Sequence, residues 1–214
     1  DTVWDIREAP SRLLVLGAGP IGCELAQAFA RLGSAVTLAT HAGRVLPRED
    51  PEVSEQVHAA FTRQGIEVLL KHEPGAFSQS ESGHCCAFTT PEGGRDVNFD
   101  RLLLAVGRSP NVEGLGLEQL GIGLAPQGTV AVDAYLRTAV PGIYGCGDVA
   151  GPYQFTHMAS HQAWYATVNA LFGRLRKFKV DYSIVPWATF TDPEVARVGL
   201  NETEAREQGI ACEV

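Results

Sequence analysis

Three glycines, Gly17, Gly19 and Gly22, stand in the spacing G-x-G-x-x-G, a pattern that suits a backbone turn to a pyrophosphate. Gly17 permits the tight turn, Gly19 lets the backbone approach the phosphates, and Gly22 lets a helix pack closely on a strand. A helix starting near Pro20 and Ile21 would point its unpaired N–H groups and its positive end at the anion. Thr40 ends the next apolar run, where an NAD site usually places Asp or Glu against the ribose hydroxyls. No acid occurs between Gly33 and Arg48, so nothing there repels a 2′-phosphate. His41 and Arg44 could pair with such a phosphate, and the guanidinium fork suits it well. NAD and NADP both stay open on these residues, with the charges leaning to NADP.

A second constellation lies in Pro141-Gly142-Ile143-Tyr144-Gly145-Cys146-Gly147-Asp148. Glycines there let backbone approach a ligand while Asp148 accepts hydrogen bonds from hydroxyls. An ordinary strand-end turn fits the same spacing. The N-terminus of a helix over 156–172 is a candidate anion site, whereas His157 and His161 taken alone read as packing or surface residues. The adjacent pair Cys85-Cys86 invites a redox reading, but neighbours on a strand point to opposite faces.

These residues need elements to hold them. The spacing predicts a strand at 12–17, a helix at 21–32, a strand at 35–39, a helix at about 52–64 and a strand at 66–70. Asp50 is the expected N-cap of the second helix, with Pro51 at its first position. This β-α-β-α-β order implies an α/β fold with a doubly wound parallel sheet. Residues 74–100, with a turn at Pro91-Glu92-Gly93-Gly94, read as an antiparallel meander laid beside it. A buried strand is expected at 102–106, further strands at 128–133 and 141–148, and two short ones within 185–199. Asn201-x-x-Glu204 is a capping-box start to a short helix.

Composition narrows the class. A net charge of −8 with 20% charged residues argues against a nucleic-acid surface. No apolar run approaches the ~18–20 residues of a membrane span. The five cysteines lack disulfide-framework or zinc spacing, which fits a reducing, cytoplasmic setting. The chain opens Asp1-Thr2-Val3 without an initiator Met or a signal peptide and stops as an extended segment begins, so it reads as a piece of a longer protein.

Four motifs in order then identify a resemblance: G-x-G-x-x-G-x-E at 17–24, G-R-x-P-N at 107–111, I-Y-x-x-G-D at 143–148 and F-T-x-P-E-x-A-x-V-G at 190–199. Across essentially its whole length the chain resembles the pyridine nucleotide-disulfide oxidoreductases, most of all the mercuric-reductase-like branch. The resemblance implies an NAD(P) domain over 1–106, the C-terminal part of an FAD domain over 107–180, and the start of an α+β dimerisation domain over 181–214. It implies that reduced nicotinamide passes hydride to FAD, and FAD passes electrons to a disulfide, a metal ion or another acceptor, in a homodimer. Glu24 would match the acid that supports the flavin side, Gly107 the glycine near the nicotinamide, and Gly147 and Asp148 the ribityl site. Thr156, His157, Met158 and Ala159 would face the flavin pyrimidine, where the helix dipole favours charge on the reduced ring. Gly22 leans the other way on cofactor choice, since NADP members often carry Ala there.

The family's first FAD fingerprint, its C-x-x-x-x-C pair and its His-Glu pair do not occur in this sequence, so the chain alone is expected to lack FAD and turnover. The alternative is a stand-alone NAD(P)-binding or sensing module. A single-cofactor dehydrogenase with Tyr-x-x-x-Lys fails, because Asn169 stands four residues after Tyr165.

Overall fold

Within strand β1 (Arg12–Leu16), Leu13 to Leu16 form an unbroken apolar run because both faces are covered there. A computed structural model of the chain describes residues 2–80 and 83–214. They form two compact units: residues up to Gly107 together with Pro186–Val214, and Arg108–Val185.

In the first unit, β1 is followed by α1 (Pro20–Arg31), β2 (Ala35–Thr40), α2 (Pro51–Arg63) and β3 (Glu67–Leu70). Next come β4 (Glu73–Ser80), β5 (Gly83–Thr90), β6 (Gly93–Phe99) and β7 (Arg101–Leu104). The sheet order is β3-β2-β1-β7, with every pair parallel. Leu13 and Val15 point to a core shared with Cys23, Ala26 and Phe29 of α1 and Val57 and Phe61 of α2. Leu14 and Leu16 point to the opposite face, against Cys86, Phe88, Val97 and Phe99. The expected meander is therefore the antiparallel sheet β4-β5-β6, packed over one face of the parallel sheet while the helices cover the other. Glu81 and Ser82 of that stretch lie outside the described residues.

Two local expectations are corrected. The strand at 102–106 is not fully buried: β7 is the sheet edge, and Leu104 and Val106 are exposed. Asp50 stands at the N-cap of α2, but its carboxylate does not bond that helix. Instead it accepts from the N–H groups of Glu202 (3.2 Å) and Thr203 (3.4 Å). Those residues open α4 (Glu202–Glu207), whose own capping box joins Asn201 and Glu204 as the sequence predicts.

The second unit holds α3 (Thr156–Phe172) and many turns. The runs 128–133 and 141–148 are not strands, making only the isolated bridges Leu124–Val130 and Arg137–Tyr144. Their backbone groups are taken by tight turns, Ala125 N to Thr129 O (2.7 Å) and Thr138 N to Ile143 O (3.0 Å). Gly128 and Gly142, at φ +81° and +85°, sit inside those turns. The second run ends in a 3-10 turn, Gly147–Val149, rather than in a strand.

The remaining elements, β8 (Pro186–Thr189), β9 (Val195–Val198) and α4, pack with the first unit. Polar contacts fasten them. Gln27 on α1 donates to Asp192 O (2.9 Å) and accepts from Asp192 N (2.7 Å), and Asn201 Nδ2 reaches Arg48 O (2.9 Å).

Candidate functional site

The glycine turn joins β1 to α1, and its three glycines have different surroundings. Gly17 has φ +101°, and a Cβ there would lie 2.4 Å from Ala105 O. A Cβ at Gly22 would lie 1.8 Å from Gly17 O. At Gly19 nothing lies within 4 Å. Two glycines are thus required by the chain's own packing, and the third faces open space. Gly19 is the N-cap of α1, no side chain caps the helix, and Pro20 at the first position has no N–H to lose. The first-turn N–H groups of Ile21 and Gly22 have no partner four residues back, as at any helix start. This open, donor-rich edge lies at the C-terminal ends of β1 and β2, where doubly wound sheets take ligands. The cradle fits a pyrophosphate.

At the end of β2, buried Thr40 accepts from Ala42 N (3.1 Å) through its hydroxyl, and no carboxylate stands at this position to meet a ribose. His41 is exposed, and Arg44 donates from Nη2 to Pro47 O (3.0 Å). A guanidinium carries five donors, so that contact leaves others for an anion. Glu24, on α1, accepts from Phe190 N (2.9 Å) through Oε1, a contact between residues too far apart in the chain for spacing to reveal. Gly107 has φ +135° with open space around its missing side chain.

In the second unit Asp148 is half-exposed, and Arg108 Nη1 stands 3.5 Å from its Oδ2 while Nη2 donates to Gln154 O (2.7 Å). Phe155 is the N-cap of α3 and makes no side-chain cap bond, so the positive end of this 17-residue helix would favour an anion or a polar ring. Thr156 and His157 are exposed there, with the His157 ring stacked on Phe155. Met158 is buried, and the Ala159 Cβ is 3.2 Å from where a Gly147 Cβ would be, which explains glycine at 147. Gln162 was missed by the sequence reading. Fully buried, it accepts from Gly147 N (2.6 Å) and donates to Gly151 O (2.6 Å) and Tyr182 Oη (2.7 Å), bracing the loop that carries Asp148. The signal was its place on the buried stripe Met158, Gln162, Ala166, Asn169.

The family model for the pyridine nucleotide-disulphide oxidoreductases matches residues 2–163, and that for their dimerisation domain matches 185–214. The chain belongs to this family. It is 40% identical over 210 residues to a mercuric reductase of Streptomyces lividans, covering 98% of this chain and 44% of that protein. A dihydrolipoyl dehydrogenase of Chlamydia trachomatis is 37% identical over 212 residues, covering 99% of this chain and 44% of that protein. Among solved structures, the HOCl-induced flavoprotein disulfide reductase RclA of Escherichia coli superposes with a TM-score of 0.85 at 32% identity, over 97% of this chain and 46% of that one. LpdA of Mycobacterium tuberculosis gives 0.86 at 29% identity, over 98% and 44%. The chain spans under half the length of the curated relatives it matches.

For a member of a redox family, the thiols need placing. All five cysteines are free. Cys85 and Cys86 sit side by side on β5 with Cys86 in the core, so the strand holds them on opposite faces. Burial pushes the Cys23 thiol up to about 12, and its Sγ–H donates to Ala18 O (3.4 Å). A thiol held protonated is a poor nucleophile. Native-state titration with an aromatic disulfide reagent should therefore label exposed Cys146 and Cys212 rapidly, and Cys23 and Cys86 only after unfolding. Rapid labelling of Cys23 in the folded chain would contradict this placement. No helix among the described residues is long and apolar enough to cross a membrane.

Proposed function

We propose that the chain provides the NAD(P)H-binding unit and part of the FAD-binding unit of a flavin-dependent oxidoreductase. The full protein would pass electrons to a disulfide, a metal ion or another acceptor, and would work as a homodimer. The observation that carries this reading is Gly19: an uncapped helix start with open space before it, between two glycines that the fold itself needs. Nicotinamide and flavin supply the hydride chemistry when bound, and the protein contributes placement and electrostatics.

Gly17, Gly19, Pro20, Ile21 and Gly22 would form the pyrophosphate seat, with donors already aimed and little left to order on binding. Residues 1–106 would be the nucleotide domain, 107–180 the returning part of the FAD domain, and 181–214 the first part of the dimer interface. Gly107 would leave room at the nicotinamide end, and Glu24 would place a negative charge toward the flavin side. Asp148, held by the loop that Gln162 braces, would accept hydroxyl protons of a ribityl chain. The N-terminal end of α3 at Thr156, His157 and Ala159 would stabilise negative charge on a reduced flavin.

The preferred nucleotide is NADPH. Thr40 spends its hydroxyl on the local turn, and His41 and Arg44 follow β2 where they could pair with a 2′-phosphate. Arg44→Ala should weaken NADPH binding by ~1.5–3 kcal/mol, the scale of a charged hydrogen bond, and leave NADH unchanged. Titration of both cofactors by fluorescence checks this. Equal losses for the two would mean that Arg44 does not read the phosphate.

A further inference from the structure

The end of β3 carries a second cation besides Arg44, one that spacing along the chain does not bring to this turn. β2 and β3 are parallel with Thr40 in register with Leu70, so His41 and Lys71 leave the sheet side by side. The pairing continues past the strands: Lys71 N donates to Ala42 O (3.0 Å) and His72 N to Thr40 O (2.9 Å). Lys71 has φ +56°, a left-handed conformation that costs a residue bearing a Cβ. Its stem lies over the turn after β2, with Cε 3.5 Å from where a Gly43 Cβ would be. The lysine stem is thus in van der Waals reach of the turn that carries Arg44. The side chain is exposed, and among the described residues no carboxylate lies within ion-pair distance of its ammonium. A left-handed residue, held by its own N–H and that of His72, thus sets an unneutralised ammonium at the strand end next to His41.

We propose that Lys71 is a specificity-determining residue that binds the 2′-phosphate of NADPH from the β3 side, opposite Arg44. This rests on the NADPH preference argued above. Arg44 would contribute a planar fork and Lys71 a point charge, a division that suits a tetrahedral dianion approached from two sides. The parallel register of β2 and β3 sets the backbone of His41 and Lys71 side by side before the ligand arrives.

The experiment titrates the full chain with 2′,5′-ADP and with 5′-AMP, comparing wild type, Lys71→Met and Arg44→Ala. Methionine keeps the length of the stem and removes the charge. Wild type should bind 2′,5′-ADP more tightly than 5′-AMP, and Lys71→Met should weaken 2′,5′-ADP by about tenfold while leaving 5′-AMP unchanged. The salt dependence of 2′,5′-ADP binding should also flatten in the variant. A wild type with no preference between the two ligands would overturn the NADPH reading, and this assignment with it. A preference that Lys71→Met leaves intact would overturn the assignment alone. Equal weakening of both ligands would also overturn it, since a merely structural lysine has that effect.

Discussion

Gly17→Ala should cost the first unit its stable fold, whereas Gly19→Val should keep the fold and lose the nucleotide. The two positions are two residues apart in one turn, yet the structure separates them completely. At Gly17 an added Cβ meets Ala105 O at 2.4 Å, and φ +101° is strained for any residue that has one. The left-handed penalty of ~1–2 kcal/mol and overpacking of ~1–3 kcal/mol together take roughly 2–5 kcal/mol. That is a large part of the ~5–15 kcal/mol by which a domain is stable. Gly19 is extended, at φ −76° and ψ −177°, a conformation that a β-branched residue adopts readily. With nothing within 4 Å, the cost of valine there is a poorer N-cap, ~1 kcal/mol. Its side chain would stand where the pyrophosphate has to come, so affinity should fall by more than about tenfold, or ~1.4 kcal/mol. Thermal melts and NADPH titrations of the two variants read these effects separately. Unchanged NADPH affinity in a folded Gly19→Val would remove the pyrophosphate from this turn.

A comparable effect is expected at Arg197, far from the nucleotide. Its guanidinium lies 4.0 Å over the Trp187 ring, makes a bidentate pair with Glu204 (3.0 Å for each bond), and sets Nε 3.4 Å from Glu49 Oε2. The side chains of Arg197 and Glu49 are only 12% and 8% exposed, so this is not a surface pair that solvent would screen. Trp187 Nε1 donates to the other Glu49 oxygen (3.0 Å). Arg197→Ala leaves the Glu49 carboxylate buried without its cation, which costs ~3–5 kcal/mol. The expected result is a lower melting temperature and early proteolytic cleavage within 186–214. The double variant Glu49→Leu, Arg197→Met should recover much of the loss, because an apolar pair of similar size avoids the stranded charge. A loss below about 1 kcal/mol in Arg197→Ala would mean that the cluster behaves as an exposed pair.

The parts of this fold that the sequence reveals are those governed by local rules. A parallel strand covered on both faces must be apolar, so Leu13–Leu16 of β1 stands out, and glycine spacing marks the turn that joins β1 to α1. The capping box at Asn201 and Glu204 is likewise local, and the structure has it. What the sequence hides depends on distant partners. Asp50 reads as the cap of the helix after it, but its carboxylate is taken by Glu202 and Thr203, more than 150 residues away. Leu104 reads as core, but β7 has a neighbour on only one side. The run 128–133 alternates like a strand and 141–148 reads as one, but their hydrogen bonds go to tight turns and to isolated partners such as Val149 O rather than into a ladder. Lys71 becomes a candidate only when the register of β3 against β2 brings it beside His41. Gln162 looks like any polar helix residue until its burial under the Gly147–Gly151 loop is seen.

The most direct test of the nucleotide seat is a calorimetric titration of the purified chain with NADPH. One saturable site per chain, with 2′,5′-ADP competing for it, is the predicted result. No detectable binding by a chain shown to be folded would contradict the assignment of the open turn at Gly19.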